Sequence, residues 1–437
     1  MKKSLKFSLR LLSLALLLTL CLTAVAGCEG PDVIGGETTA TPETEAPSNT
    51  LVLDTTYVIV IPDDADAITE KAATLVAATL GGVLGEIPTV TTASVNTSSR
   101  AIHLGLATFD GERCYDLAVE DSALRLNASD STTLYYATEA VLNTWMTMDS
   151  ALEQSGKLSL DKSRVSELNG LTTKLDTSIK VITQNVRGFD DPDGNTIQKR
   201  SVRFQQLLEE YRPDLIGTQE YNLTWNINWN KMAGKEGSIC AEYGMVGCSR
   251  EGRDTKSGEF NVIFYRLDRF ELLDSDTTWL SDTPDRPSAV ENSLCRRICT
   301  WALLKDKLTG ETILYANTHL DHSTDEVRSA QATILMDYLA ERIGEYPFYL
   351  TGDFNCYVNS LPYTTVTDRL QDSHKTAWTD ESTVTRTYHG YTEYGGGEID
   401  FVFHNDKTTA VNYEIISTSY GGVVSDHFGV YVEFVND

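Results

Sequence analysis

Positive charge is what this chain has least of. It carries 36 Lys and Arg against 63 Asp and Glu, a formal net charge of −27. A body that acidic repels polyanions, which argues against tight, backbone-driven binding to long nucleic acid, so no stable nucleic-acid complex is expected. A C-x-x-C pair is also missing. None of the eight cysteines has a histidine at ligand spacing beside it, which excludes a cysteine-rich metal site. Beyond residue 28 no stretch reads as a membrane span. Residues 29–50 are rich in Thr, Pro, Glu and Gly with almost no large apolar side chains, a composition that builds no core and reads as a disordered tether.

What precedes the tether reads as an export signal over residues 1–28. Lys2, Lys3, Lys6 and Arg10 form a basic start, and Leu11 to Ala24 an apolar run too short to span a bilayer. The ending Val25-Ala26-Gly27-Cys28 resembles the lipobox of bacterial lipoproteins. That resemblance implies cleavage before Cys28, acylation of its thiol, and a protein held at the outer face of the cytoplasmic membrane. Export permits disulfides, and Cys240/Cys248 or Cys295/Cys299 are close enough in sequence to pair.

Residues 51–165 read as a small α/β domain. Thr56 to Ile61 is a strand stopped by Pro62; Ala65 to Leu84 is a helix with Asp63 and Asp64 as candidate caps. Ala101 to Leu106 is a second strand, Tyr115 to Asn127 a hairpin about Glu120-Asp121-Ser122, and Thr132 to Met146 an amphipathic helix. Residues 147–178 read as a polar connection. The run from Tyr115 to Trp145 resembles the non-catalytic N-terminal domain of bacterial hexosaminidases, which implies an accessory domain and a glycan as its partner. No catalytic constellation lies in it, and His103, inside an apolar strand, reads as a packed side chain.

From about residue 175 to 437 a theme repeats: a short apolar strand with polar residues at its end. Ile179 to Thr183 leads into Gln184-Asn185-Val186-Arg187, and Leu215-Ile216-Gly217 into Thr218-Gln219-Glu220. Thr312 to Ala316 leads into Asn317-Thr318-His319, and Phe348-Tyr349-Leu350 into Thr351-Gly352-Asp353-Phe354-Asn355. Asp400 opens an apolar run, and Ser425-Asp426-His427 precede another. A helix is expected over 199–211 with Val202, Leu207 and Leu208 on one face, and another from Thr324 to Ile343. Many strands with few helices predict an α/β sandwich, two packed mixed sheets flanked by helices in four layers, with the polar residues gathered along one edge.

Those pieces, "TQNVRG", "PDLIGTQE", "NTHLDH", "TGDFN", "IDFVF" and "SDHFGV", resemble the endonuclease/exonuclease/phosphatase superfamily. The resemblance implies a hydrolase of phosphate esters using Mg²⁺, with Mn²⁺ or Ca²⁺ as alternatives. Glu220, Asn185 and Asp426 then serve the metal, and Asp353 orients or deprotonates water. Asn355 holds a phosphate oxygen, His319 contacts the phosphate or protonates the leaving oxygen, and His427, oriented by Asp400, stabilises the transition state. The chemistry agrees, since anionic phosphate oxygens repel a nucleophile until a hard cation with oxygen ligands offsets their charge. One departure is Arg187, where nuclease relatives carry an acid; it and Arg297 are candidates for the substrate phosphate, with Arg328 a further cation that solvent claims equally well. His389 is placed at the cleft or in a loop. The expected activity is a monomeric, surface-anchored phosphoesterase for a small, lipid or sugar phosphate. An extracellular nuclease and a non-catalytic glycan-binding protein are the alternatives.

Overall fold

The computed structural model describes residues 50–436 apart from 112, 121, 148–151, 154–156, 170, 172, 192 and 193. The signal, the tether up to residue 49 and Cys28 lie outside the described residues. Contacts divide the chain into two units, one ending at Thr173 and one beginning at Lys174.

In the first unit β1 (Thr50–Leu53) pairs antiparallel with β8 (Lys157–Asp161), which also pairs with β7 (Leu152–Glu153). The segment read as a connection therefore returns to the domain: Leu158 and Leu160 join Leu51 and Leu53 in its core. A five-stranded sheet runs in the order β3 (Thr89–Thr92), β2 (Val58–Ile61), β4 (Ala101–Leu106), β6 (Ala123–Ala128), β5 (Tyr115–Glu120). Two long helices, Ala67–Leu84 and Ser131–Thr147, bury Leu80 and Trp145 with Ile59 and Leu104, and a short helix, Val165–Asn169, follows β8. The first helix is capped by Asp66, whose Oδ1 accepts from the Thr69 N–H at 2.8 Å, not by Asp63 or Asp64. Asp63 instead accepts from Ser94.

The second unit holds two sheets. One has the order β11 (Tyr243–Val246), β12 (Phe260–Arg266), β10 (Leu215–Tyr221), β9 (Ile179–Asn185), β21 (Gly429–Asn436), β20 (Thr408–Ile416), β18 (Thr379–Asp380). The other runs β13 (Phe270–Trp279), β14 (Ile298–Asp306), β15 (Thr312–His319), β16 (Phe348–Asp353), β19 (Asp400–His404), β17 (Gln371–Asp372). Strand alternation assigns the layers. Val181, Leu215 and Val432 point inward and pack with Tyr315, Tyr349 and Val402 of the facing sheet. Ile182 and Ile216 point outward onto the Ile197–Tyr211 and Leu223–Ala233 helices, against Phe204 and Trp225. Leu314 and Leu350 do the same beneath the Asp325–Ile343 helix. The result is helix, sheet, sheet, helix. Within the Ile197–Tyr211 helix the buried face is Ile197, Phe204, Leu207 and Leu208; Val202 lies on the solvent side, 49% exposed.

Near the strand ends the space between the sheets turns polar. Gln219 donates to Thr183 Oγ1 at 3.0 Å and to Asn317 Oδ1 at 2.7 Å, and Asn317 donates back to the Thr218 and Val262 carbonyls. Gly217 is required here, because a Cβ would overlap Thr351 Oγ1 and Asn317 across the gap. A buried polar seam whose bonds cross from sheet to sheet fixes their relative register more tightly than apolar contacts do. No disulfide forms among the described residues: Cys240, Cys248, Cys295, Cys299 and Cys356 are thiols, so the local pairings that the sequence spacing allows do not occur. Cys240 and Cys299 are buried, and burial raises the pKa of both, to about 11 and about 12, which keeps them inert at neutral pH.

Candidate active site

Strand register aligns the chemistry. His319 stands opposite Asp353, and Asp353 opposite Asp400, in one row across β15, β16 and β19. In the facing sheet Asn185 closes β9 beside Gln219, with Glu220 one step on, where β10 breaks register with β12 and Glu220 takes a left-handed φ of 57°. A carboxylate at such a position is strained, a cost retained where the direction of the side chain matters. Asp426 and His427 lie just before β21, and Gln184 donates to the His427 carbonyl at 3.1 Å.

These side chains meet. Asn185 Nδ2 donates to Glu220 Oε1 at 3.1 Å and to Asp353 Oδ2 at 3.0 Å, tying the two sheets together. Asp353 Oδ1 accepts from the Asn355 N–H at 2.9 Å. Asn355 Nδ2 lies 3.1 Å from His319 Nε2, and His427 Nδ1 is 2.8 Å from Asp400 Oδ2. The far nitrogen of His427 faces Asp353 Oδ2 at 3.9 Å. Asn185, His319, Asp353, Asp400, Asp426 and His427 are all buried, while Glu220 is half-buried.

Burial works against a charged His427, but the charge and hydrogen bond of Asp400, with Asp353 and Asp426 nearby, outweigh it and lift the ring to about 10. Burial and the charge of Asp400 push Asp353 up to about 7, the range in which a general base both takes and releases a proton. His319 goes the other way: burial, then Arg297 and Arg250, hold it well below 6.5, so it is neutral. A neutral ring fits contact with the phosphate better than protonation of the leaving oxygen.

Two groups offer themselves to a cation. Ligand atoms of Asp353, Asp400 and His427 lie within 4.8 Å of one another, with Asp400 Oδ2 already engaged by His427 Nδ1 at 2.8 Å. Glu220 and Asp426 fit better. Burial and then the like charge of Glu220 hold Asp426 above its ordinary value, a repulsion that a divalent cation between hard oxygen donors relieves.

Arg187 is placed otherwise than expected for a phosphate ligand. Its Nε and Nη2 both donate to Asp191 Oδ1 at 3.2 Å, and Nε lies 3.7 Å from Asp426 Oδ2, so it serves the acids. Arg297 is buried rather than a surface cation, against His322. Arg328 donates to the Asp321 carbonyl and to Asp325. His389 is buried, its ring 4.3 Å from Phe428 and its Nδ1 accepting from the Tyr391 N–H. Burial and His427 together lower it to about 4.

Several supporting residues escaped the sequence reading. Arg200, fully buried, donates to the carbonyls of Val186, Arg187, Phe189 and Asn195, while Trp225 and Asn222 hold those of Arg187 and Gly188. The loop so fixed presents the Gly188 N–H to Glu220 Oε2 at 3.0 Å. The seam residues had a signal: Thr183, Asn317 and Thr351 each sit two places before a site residue, hence on the same face of the strand.

The fold and this row of strand-end side chains define a hydrolase of phosphoester bonds. The chain belongs to the endonuclease/exonuclease/phosphatase family, whose model matches residues 182–427; members of that family are metal-dependent hydrolases of such bonds. Among solved structures, an endonuclease/exonuclease/phosphatase from Bacteroides vulgatus is 30% identical with a TM-score of 0.55, covering 60% of this chain and 99% of that one. A mannosyl-6-phosphatase from Bacteroides thetaiotaomicron is 28% identical with a TM-score of 0.54, covering 59% and 99%. The CCR4-Not complex 3'-5'-exoribonuclease subunit of Saccharomyces cerevisiae is 24% identical over 199 residues, 39% of this chain, and the chain spans 24% of that relative's length.

Proposed function

We propose that the protein is a Mg²⁺-dependent phosphoesterase for a small ester such as a sugar phosphate, working outside the cell on a lipid anchor at Cys28. The observation that carries the reading is the Asp400–His427 pair aimed at Asp353 beside the Glu220–Asn185 contact. Glu220 and Asp426, with Asn185 behind them, would hold the metal, which supplies positive charge against the phosphate oxygens. Asp353 takes a proton from a water whose oxygen attacks phosphorus, and as the bond to the leaving oxygen breaks that oxygen takes a proton from solvent. Asn355 and neutral His319 hold non-bridging oxygens by hydrogen bonds, and His427, charged and fixed by Asp400, meets the charge that builds in the transition state. The likeness to a mannosyl-6-phosphatase over nearly all of that chain supports a small sugar phosphate. A nuclease reading rests on the shorter likeness to an exoribonuclease, and the net charge of −27 opposes it.

The test is hydrolysis of sugar 6-phosphates, aryl phosphates, DNA and RNA by the full chain with Mg²⁺ or with EDTA. Turnover of the small esters that EDTA abolishes supports the reading. Turnover in EDTA, or turnover of nucleic acid alone, defeats it.

A further inference from the structure

Each acid of the site but one has a cation of the protein's own beside it. Asp353 and Asp400 have His427 between them, its Nδ1 2.8 Å from Asp400 Oδ2 and its Nε2 3.9 Å from Asp353 Oδ2. Asp191 and Asp426 have Arg187 between them. Its Nε and Nη2 meet Asp191 Oδ1 at 3.2 Å, and Nε stands 3.7 Å from Asp426 Oδ2. Glu220 is the exception: its two oxygens accept from the Asn185 amide and the Gly188 N–H, both neutral, and among the described residues no ion pair reaches it. The place of Arg187 is fixed from several sides. Its φ of 59° lies in the left-handed region, a cost retained where the direction of a side chain matters. Asn185 Oδ1 accepts from its N–H at 3.0 Å, and Arg200 and the Trp225 ring donate to its carbonyl at 3.1 and 3.0 Å. Its anchor, Asp191, has a side chain only 8% exposed and accepts at Oδ2 from the Tyr391 hydroxyl at 2.9 Å. The Phe189 ring lies 5.7 Å from the guanidinium carbon.

A guanidinium held between two carboxylates offsets the charge that would draw a divalent ion to them, and its donors occupy oxygens that the ion would need as ligands. An acid at position 187 would do the reverse, adding both a charge and a ligand. Building on the metal-dependent reading of the site, we propose that Arg187 is a positioning residue that stands in place of a second divalent ion between Asp191 and Asp426. The site then takes a single ion, at Glu220 and Asp426, and the fixed positive charge beside it lowers the affinity for that ion.

The experiment titrates Mn²⁺ into the metal-stripped full chain by calorimetry, which counts ions without any turnover. Wild type is compared with Arg187→Gln, Arg187→Asp and Glu220→Gln, each checked for folding by circular dichroism. Wild type should bind one ion, and Glu220→Gln should lose it. Arg187→Gln should bind the first ion roughly 10- to 100-fold more tightly, because a like charge beside its ligand is gone. Arg187→Asp should bind two ions. Gln is close to Arg in reach and still donates to Asp191, so it gives folded protein where the added acid of Arg187→Asp does not. Two ions in the wild type overturn the proposal whatever the variants do. A folded Arg187→Gln with the wild-type count and affinity also overturns it, as does an ion that survives in Glu220→Gln. Those results leave the hydrolase reading standing, since turnover that EDTA abolishes is scored separately. If neither the wild type nor Arg187→Gln binds an ion, the metal-dependent reading falls together with this one.

Discussion

Two histidines buried at one strand edge have opposite electrostatic surroundings. His427 sits among Asp400, Asp353 and Asp426, and stays protonated to about 10. His319 faces Arg297 and Arg250, with His427 and His322 adding to the positive side, and it stays neutral. Asp353 lies between them, 3.5 Å from His319 Nε2 and 3.9 Å from His427 Nε2. The difference teaches how one edge divides its labour. In the proposed reaction the acid-rich surroundings would keep His427 a cation where charge develops, and the arginines would keep His319 a neutral ring. A carboxylate that burial and the charge of Asp400 lift to about 7 is placed to move a proton.

Removing His427 should break the comparison most severely. His427→Ala takes away the charge that meets the transition state, and a fall in kcat of about 10³- to 10⁴-fold is expected with KM little changed. It also removes the cation that restrains Asp353, so the acidic limb of the rate profile should move above about 7. Steady-state kinetics across pH check both; a profile that keeps its acidic limb assigns that limb to another group. Asp400→Asn comes next. Without the carboxylate at 2.8 Å the ring loses its fixed orientation and much of its basicity, and about 10²- to 10³-fold should be lost from kcat. His319→Gln should cost less, about tenfold to 10²-fold, because Gln retains a donor and the role is contact rather than charge. If the His319 and Asp400 variants fall equally, the assignment of a neutral donor to His319 is wrong.

The sequence carried the site better than its supports. Asn185, Glu220, His319, Asp353, Asn355, Asp400, Asp426 and His427 end or open apolar strands, and polar side chains at such ends stand out against their neighbours. The four layers followed from strand-heavy composition and periodicity. The partners of Arg187 and Arg297 were not legible, since a cation's partner depends on which loop folds over it: Asp191 lies four residues from Arg187, but Asp321 and His322 reach Arg297 from the loop after β15. Nor was β1, four residues at the margin of a polar tether, whose pairing with β8 is a contact over a hundred residues away. The cap at Asp66 was missed because three acids stand within four positions, and only the backbone conformation chooses among them.

The smallest effect is on stability, and it separates the two rings by sign. His319 has a folded-state pKa below its unfolded value of 6.5. As pH falls through 6.5 the unfolded chain takes a proton that the native ring refuses, so the native state loses stability toward acid, by at most about 1.4 kcal/mol per pH unit. His427 has its folded-state pKa raised to about 10. Its contribution is complete below 6.5 and declines as pH rises from 6.5 through about 10, where the native ring still holds a proton that the unfolded ring has released. Urea unfolding in EDTA from pH 5 to 9 should therefore show His319→Gln flattening the acid side alone and His427→Gln the alkaline side alone, each relative to wild type. Both variants moving the same side would mean that the two rings share one electrostatic environment, and the division of the edge into acidic and basic walls would not stand.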